Sequence, residues 1–116
     1  GKQIAWLSDE IYADFRYDGE FVSPLELAPS DGLLISGLSK SMSMTGWRIG
    51  WLAGDKDVVA KACALQSQST SNVCSFAQFG ALAAISGSRD CVQEMAARFN
   101  ERRQLLSDGL MAISGL

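Results

Sequence analysis

The 116-residue sequence contains no histidine, and this absence excludes several kinds of active site. Without histidine the chain cannot hold a Ser-His-Asp or Cys-His nucleophilic system. The commonest general base at neutral pH and a common zinc ligand are missing as well. Chemistry in this chain must therefore depend on Lys, Asp, Glu, Tyr, Arg, Ser or Cys, or on a bound cofactor.

The sequence is also poor in cysteine, in excess charge and in long apolar runs. Three cysteines without Cys-x-x-Cys spacing favour reduced, buried thiols in a cytoplasmic protein, so we expect no disulfide and no metal site. Ten basic and 13 acidic residues give a net charge of −3, and we expect no nucleic-acid partner. No run approaches the ~18 apolar residues of a membrane span, so no membrane partner is expected.

What is present is the composition of an ordinary globular domain, with 47% hydrophobic and 20% charged residues. Three short apolar runs occupy residues 4–7, 33–35 and 49–53. They lack polar alternation, which predicts strands covered on both faces, as in an α/β sheet. Residues 14–32 have the glycine and proline content of a loop, with one helical turn near residues 25–27.

The second half of the chain has helical periodicity. Asp55 can cap a first helix, and a polar stretch at 67–74 predicts a loop after it. Ser75 and Gln78 match a capping box for a second helix that ends at Gly87. A longer third helix should begin at Ser88 or Asp90 and run toward the end of the chain.

The most informative stretch is residues 36–50, SGLSKSMSMTGWRIG. Lys40 follows a predicted strand, and Arg48 stands eight residues later, just before the next strand. Small residues between them permit a tight loop. Both cations should lie at one end of a sheet, where open α/β sheets place their ligand crevice. Met42 and Met44 are expected to pack rather than to bind a ligand.

Two residues near the first strand extend this pattern. Asp9 ends that strand and Tyr12 follows one helical turn later. A pyridoxal phosphate site needs an amine for the aldehyde, a carboxylate for the pyridine nitrogen, a phenol for the ring oxygen and a guanidinium for the phosphate. Lys40, Asp9, Tyr12 and Arg48 would supply these four groups.

The stretches SDEIY at 8–12 and GLSKSMSMTGWRIG at 37–50 resemble the class I/II aminotransferases of pyridoxal phosphate fold type I. The loop at 66–72 and the helix start at 75–78 are similar to the bacterial aspartate-type branch. The resemblance implies that Lys40 is the catalytic Schiff-base lysine, which also moves a proton at the substrate α-carbon. It implies that Asp9, Tyr12 and Arg48 bind the cofactor.

The resemblance also implies a fold and a biological setting. Residues 1–116 would be part of the large, cofactor-binding domain, an α/β unit with a mixed, mostly parallel sheet and flanking helices. The small domain and the N-terminal part of the large domain would lie outside the chain. We expect a cytoplasmic, homodimeric parent enzyme that acts on an aspartate-like amino acid and a 2-oxo acid, and an isolated chain that is inactive.

One departure and several alternatives accompany this interpretation. Many family members carry a phosphate-binding serine three residues before the lysine, where this sequence has Gly37. A Ser-Lys hydrolase and a P-loop are disfavoured, because the residue three before Lys40 is not serine and Ser39 precedes Lys40 instead of glycine. A lyase or decarboxylase of the same fold, or a non-enzymatic cofactor-binding domain of a transcription regulator, remain open.

Overall fold

The chain folds as three short strands followed by helices, close to the pattern that the sequence predicts. The computed structural model describes residues 4–28 and 32–115. Within these residues the strands are β1 (Trp6–Asp9), β2 (Gly32–Gly37) and β3 (Gly50–Gly54). The helices are α1 (Pro24–Leu27), α2 (Lys56–Ser69), α3 (Ser75–Ser86) and α4 (Asp90–Met111), and a 3-10 turn, Thr45–Trp47, precedes β3.

The sheet has β2 in the middle and mixes two directions. β1 pairs with β2 in parallel, with Asp9 opposite Ile35. β3 pairs with β2 in antiparallel, with Gly50 opposite Gly37. The predicted α/β fold with a mixed sheet is therefore confirmed, although only one of the two pairings in the described residues is parallel.

The buried core lies beneath the connection between β2 and β3. Leu38, Met44 and Ala81 form a cluster in which no residue is more than 8% exposed. Met42 and Ile49 pack against it from the same connection. Both methionines therefore pack in the core, as the sequence predicts. Because α3 contributes an alanine here, the helix can approach the connection closely.

The first helix of the second half is longer than predicted. Asp55 caps α2 as expected, since its Oδ1 accepts hydrogen bonds from Asp57 N and Val58 N. The predicted loop at 67–74 is wrong in its first part, because α2 continues to Ser69. The Ser69 hydroxyl donates to the Leu65 carbonyl, so the polar side chain is satisfied by its own helix.

The predicted capping box at the start of α3 is also wrong. Cys74 is the N-cap residue, and the cap makes no side-chain hydrogen bond. The side chain of Gln78 does reach backward, but its Nε2 donates to the Val73 carbonyl at 2.8 Å. Gln78 therefore ties the helix to the preceding chain by a different bond from the one predicted. The predicted end of the helix at Gly87 is confirmed.

Two predictions about burial are wrong within this chain. Leu7, Ile35 and Trp51 are 57%, 38% and 42% exposed, so the strands are not covered on both faces. The described helices leave much of the three-stranded sheet open, which explains this exposure. The three cysteines are free, as expected, but all three are exposed instead of buried.

Across residues 4–28 and 32–115, no helix combines the length and the apolar character that crossing a membrane requires.

Candidate active site

The strand topology brings Asp9, Lys40 and Arg48 to one edge of the sheet. Asp9 is the last residue of β1, and Lys40 comes three residues after the end of β2. These two strands are parallel, so their carboxyl ends lie at the same edge. Arg48 precedes β3, which is antiparallel and begins at that edge.

Lys40 lies on a turn that the core holds in place. The Leu38 side chain is 2% exposed, and its carbonyl accepts hydrogen bonds from the backbone N–H of Met42 at 3.2 Å and of Met44 at 3.3 Å. Ser43 N donates to the Lys40 carbonyl at 3.2 Å. The turn that presents the lysine is thus fixed on both sides, and Lys40 itself is half-buried.

The amine of Lys40 faces an aromatic crevice. Its Nζ lies 5.6 Å from the centroid of the Tyr12 ring. The ion pairs among the described residues are Arg89–Asp14 and Arg98–Glu101, so neither holds the Lys40 amine. The crevice has a volume of about 530 Å³ and is lined by Tyr12, Phe15, Tyr17, Ser39, Lys40, Ser43, Thr45 and Phe99. An amine so placed is available to an aromatic or carbonyl ligand.

Arg48 lines a neighbouring crevice. Its backbone is left-handed, with φ 56°, which is unusual for a residue with a side chain. Its Nη1 donates to the Thr45 carbonyl at 2.7 Å. The guanidinium is exposed, and a guanidinium has five N–H donors, so most of its donors remain available to an anion.

The second crevice has a volume of about 770 Å³. It lies between the Arg48 turn, the end of α2 and the start of α3, and is lined by Gly46, Trp47, Arg48, Gln66, Thr70, Asn72, Val73, Cys74, Phe76 and Ala77. Because Thr45 lines the first crevice and Gly46 the second, the two adjoin along one short stretch of backbone.

Asp9 lies at the shared edge but lines neither crevice. Its Oδ1 accepts a hydrogen bond from Ile11 N at 3.1 Å, and the carboxylate is exposed. The structure therefore brings Lys40 and Tyr12 into direct proximity and places Arg48 next to them. Asp9 lies at the same edge, and among the described residues its carboxylate accepts a hydrogen bond from Ile11 N.

Gly37 lies at a position where a side chain does not fit. A Cβ at this position would lie 2.6 Å from the Ile49 carbonyl oxygen and 3.0 Å from Gly50 Cα. The nearby Ser36 hydroxyl donates to the Glu10 carbonyl at 3.3 Å. Ser39, in contrast, lines the Lys40 crevice.

Several crevice residues were missed by sequence reasoning. Thr45 contributes a carbonyl to Arg48, and such a backbone role leaves no trace in side-chain chemistry. Phe15 and Tyr17 stand shortly after Tyr12, and their aromatic spacing was a usable signal. Phe99 comes from α4, and the sequence does not distinguish it from the other apolar residues of that predicted helix.

Comparison with known proteins supplies the family. The family model described as aminotransferase class I and II matches residues 2–116. The chain is 45% identical over 113 residues to the aspartate aminotransferase of Geobacillus stearothermophilus, covering 94% of this chain and 29% of the relative. It is 39% identical to the aspartate/prephenate aminotransferase of Thermus thermophilus, covering 92% of this chain and 29% of the relative.

The structure agrees with these relatives. The crystal structure of the aspartate aminotransferase from Rhizobium meliloti superposes with a TM-score of 0.90 at 37% identity, covering 94% of this chain and 28% of that chain. The fold is therefore that of part of a pyridoxal phosphate-dependent transferase. The chain belongs to the class I and II aminotransferase family. It spans about 29% of the length of the relatives it matches.

The residues at the sheet edge fit the cofactor that this family implies. Pyridoxal phosphate presents an aldehyde, a ring oxygen, a pyridine nitrogen and a phosphate. The half-buried Lys40 amine suits the aldehyde, and the adjacent Tyr12 phenol suits the ring oxygen. The exposed guanidinium of Arg48 suits the phosphate, and the Asp9 carboxylate suits the ring nitrogen.

Proposed function

We propose that this chain is the cofactor-binding part of a pyridoxal phosphate-dependent aminotransferase. The observation that carries the proposal is the Lys40 amine, held beside the Tyr12 ring at the sheet edge where Arg48 also lies. When bound, pyridoxal phosphate supplies an aldehyde that condenses with amines and a ring that draws electrons from the substrate α-carbon.

The chain's own residues would bind the cofactor and move the proton. Lys40 would hold the aldehyde carbon and later carry a proton at the substrate α-carbon. Asp9 would keep a proton on the pyridine nitrogen through its carboxylate. Tyr12 would donate its hydroxyl to the ring oxygen, and Arg48 would bind the phosphate with paired N–H donors. The core-anchored turn at Leu38 supports this proposal, because it fixes the backbone from which the Lys40 side chain projects.

An aspartate-like amino acid and a 2-oxo acid are the proposed substrates. Support comes from relatives named for aspartate at 39–45% identity. The Thermus relative is named for prephenate as well, so the oxo-acid partner is proposed only as a class. We also propose a homodimeric, cytoplasmic parent enzyme that functions in amino-acid metabolism.

We infer that residues 1–116 are one portion of the large domain and turn over no substrate by themselves. The matched relatives are more than three times as long as the matched region, which leaves substrate-binding groups outside it. A lyase, a decarboxylase and a regulatory cofactor-binding domain are disfavoured, because the relatives reported above are named as aminotransferases.

Reductive trapping tests the proposal directly. The protein at its natural length is incubated with pyridoxal phosphate and then with sodium borohydride, and peptide masses locate the stable adduct. We expect the adduct on Lys40 and its loss in Lys40→Ala. Lys61→Ala serves as the matched control, because Lys61 is an exposed lysine on α2, away from the sheet edge.

Equal labelling of Lys61 and Lys40 would contradict a specific site. A second measurement addresses the reaction: aspartate and 2-oxoglutarate are added and formation of the new oxo acid is followed. Specific trapping at Lys40 without oxo-acid formation from any amino acid would favour the regulatory alternative over the aminotransferase.

A further inference from the structure

One face of α4 contacts the segment that carries Tyr12. The Phe99 ring meets Phe15 edge to face, with centroids 5.1 Å apart and an angle of 66° between the ring planes. The Arg103 guanidinium lies 4.7 Å from the centroid of the Tyr17 ring.

A third contact ties the same segment to the start of this helix. Arg89, the residue before α4, forms an ion pair with Asp14. Residues 14–17 therefore make three side-chain contacts with α4 or with its N-cap residue, Arg89.

The same helix face also contacts the loop that carries Lys40. The Ser43 hydroxyl donates to the sulfur of Met95 at 3.1 Å, and Val92 is 4% exposed. The spacing of Val92, Met95, Phe99 and Arg103 is that of a single helix face. We call this set of residues, together with Arg89, the α4 contact face. It joins two segments that are distant in sequence and share one crevice.

The Tyr12 segment depends on such support because it has no strand or helix of its own. Residues 11–18 form turns and bends after β1, and Tyr12 is 60% exposed. The backbone N–H of Phe15 donates to the Tyr12 carbonyl at 2.9 Å. This hydrogen bond links the backbone of Phe15 to that of Tyr12.

We propose that the α4 contact face positions Tyr12 against Lys40, with Phe99 and Arg89 as its positioning residues. The proposal rests on the proposed function in taking Lys40 as the reactive amine. Neither Phe99 nor Arg89 acts on the cofactor in this scheme. They restrict the segment whose phenol ring centroid lies 5.6 Å from the amine, and they do so from a helix that also contacts the Lys40 loop.

The test uses two measurements on the protein at its natural length, after any bound cofactor has been removed. Hydrogen exchange followed by mass spectrometry reports on the backbone of residues 11–17. Acetylation by N-hydroxysuccinimide acetate, read from peptide masses, reports the reaction rate of the Lys40 amine. In Phe99→Ala we expect both rates to rise by about two- to twelvefold, the range that an aromatic pair of this geometry implies. Exchange in β2 and β3 should stay unchanged.

Conservative and matched variants separate positioning from general destabilisation. Phe99→Tyr keeps the ring and should retain the original rates. Arg89→Ala should raise both rates by a smaller factor, and Arg89→Lys should partly restore them. Arg98→Ala is the control, since Arg98 is an exposed arginine of α4 that pairs only with Glu101 among the described residues.

Unchanged exchange at residues 11–17 in both Phe99→Ala and Arg89→Ala would overturn the proposal. Faster exchange there without faster acetylation of Lys40 would also overturn it, because the helix would then support the segment without affecting the amine. If Phe99→Ala fails to fold, the exposed Arg89 variants decide the matter alone. Reductive trapping is scored separately, so a protein that binds no pyridoxal phosphate would refute the function and leave this result standing.

Discussion

At the residue scale, Arg48 combines an unusual backbone with an available side chain. A left-handed residue with a Cβ carries a conformational penalty of about 1–2 kcal/mol. Ser43 in the same loop is also left-handed, with φ 53° against 56° for Arg48. Such conformations persist where the surrounding structure enforces them, and they concentrate at functional sites. The Thr45 carbonyl helps to enforce this one, because it holds one nitrogen of the guanidinium.

Replacing Arg48 with alanine should weaken cofactor binding. Each lost hydrogen bond to the charged phosphate is worth about 1.5–3 kcal/mol, or more than tenfold in affinity. Arg48→Lys keeps the charge but loses the paired donors, so its affinity should fall between those of Arg48→Ala and the original protein. Spectroscopic titration with pyridoxal phosphate measures the change. Equal affinity in Arg48→Ala and the control Arg98→Ala would contradict the assigned role.

The sequence could predict the positions of the charged site residues but not their contacts. Strand ends locate Asp9, Lys40 and Arg48, because residues at the ends of paired strands share an edge. The orientation of Asp9 toward Ile11 N depends on a local turn that no periodicity reveals. The same holds for the Thr45 carbonyl, which is a backbone group.

At the element scale, the cap of α2 is a clear local stabilising feature. Asp55→Ala removes the acceptor for two backbone N–H groups, at 3.0 and 3.1 Å. We expect a loss of about 0.5–2 kcal/mol in the free energy of unfolding. Denaturant titration measures this, and Asp55→Asn should retain most of the stability. A loss of similar size in Asp55→Asn would indicate a role for the charge instead of the cap.

Gly37 provides a second test, because its environment excludes a side chain. Gly37→Ala would place a methyl group 2.6 Å from the Ile49 carbonyl oxygen, which should destabilise the protein by about 1–3 kcal/mol. Gly109→Ala is the matched control. Gly109 has open space around it and lies inside α4, so this variant should gain about 0.5–1 kcal/mol. Destabilisation of equal size in both variants would refute the steric argument.

Element identity was predictable where apolar periodicity was strong, and element ends were less so. The three strands and the helices were all expected, and the strand bounds moved by only a few residues. Ser67 and Ser69 misled the prediction, because polar side chains can bond to carbonyls of their own helix. The predicted box at Ser75 failed because the helix is capped one residue earlier, at Cys74.

At the scale of the whole molecule, the chain is open rather than compact. Its Cα radius of gyration is 18.0 Å, whereas about 13 Å is typical of a compact domain of 100 residues. Only five hydrophobic side chains among the described residues are buried: Leu38, Met44, Ala77, Ala81 and Val92. Sequence patterns predict which faces of the strands are apolar. They do not show whether another part of the structure covers those faces. This is why the burial of the strands was overestimated.

The exposed apolar face of α3 should make the isolated chain associate. Phe76 and Phe79 are each 73% exposed and lie one turn apart, and extended apolar patches of this kind promote contacts between molecules. Sedimentation velocity should show concentration-dependent association that weakens in the double variant Phe76→Ser, Phe79→Ser. The control double variant Lys61→Ser, Gln68→Ser on α2 should associate like the original chain. A monodisperse monomer at all concentrations would show that this face does not drive association.

The connection between β2 and β3 carries both Lys40 and Arg48 and joins two strands that are hydrogen-bonded neighbours. An insertion or deletion between residues 38 and 49 would change the distance between the Lys40 amine and the Arg48 guanidinium. The strands at both ends of this loop are hydrogen-bonded to each other and hold its ends in place. The exposed stretch at 19–22 lies outside both crevices, and an insertion there would leave that spacing intact. We therefore expect length variation among descendants of this gene to accumulate in the earlier stretch and to be purged from the later one.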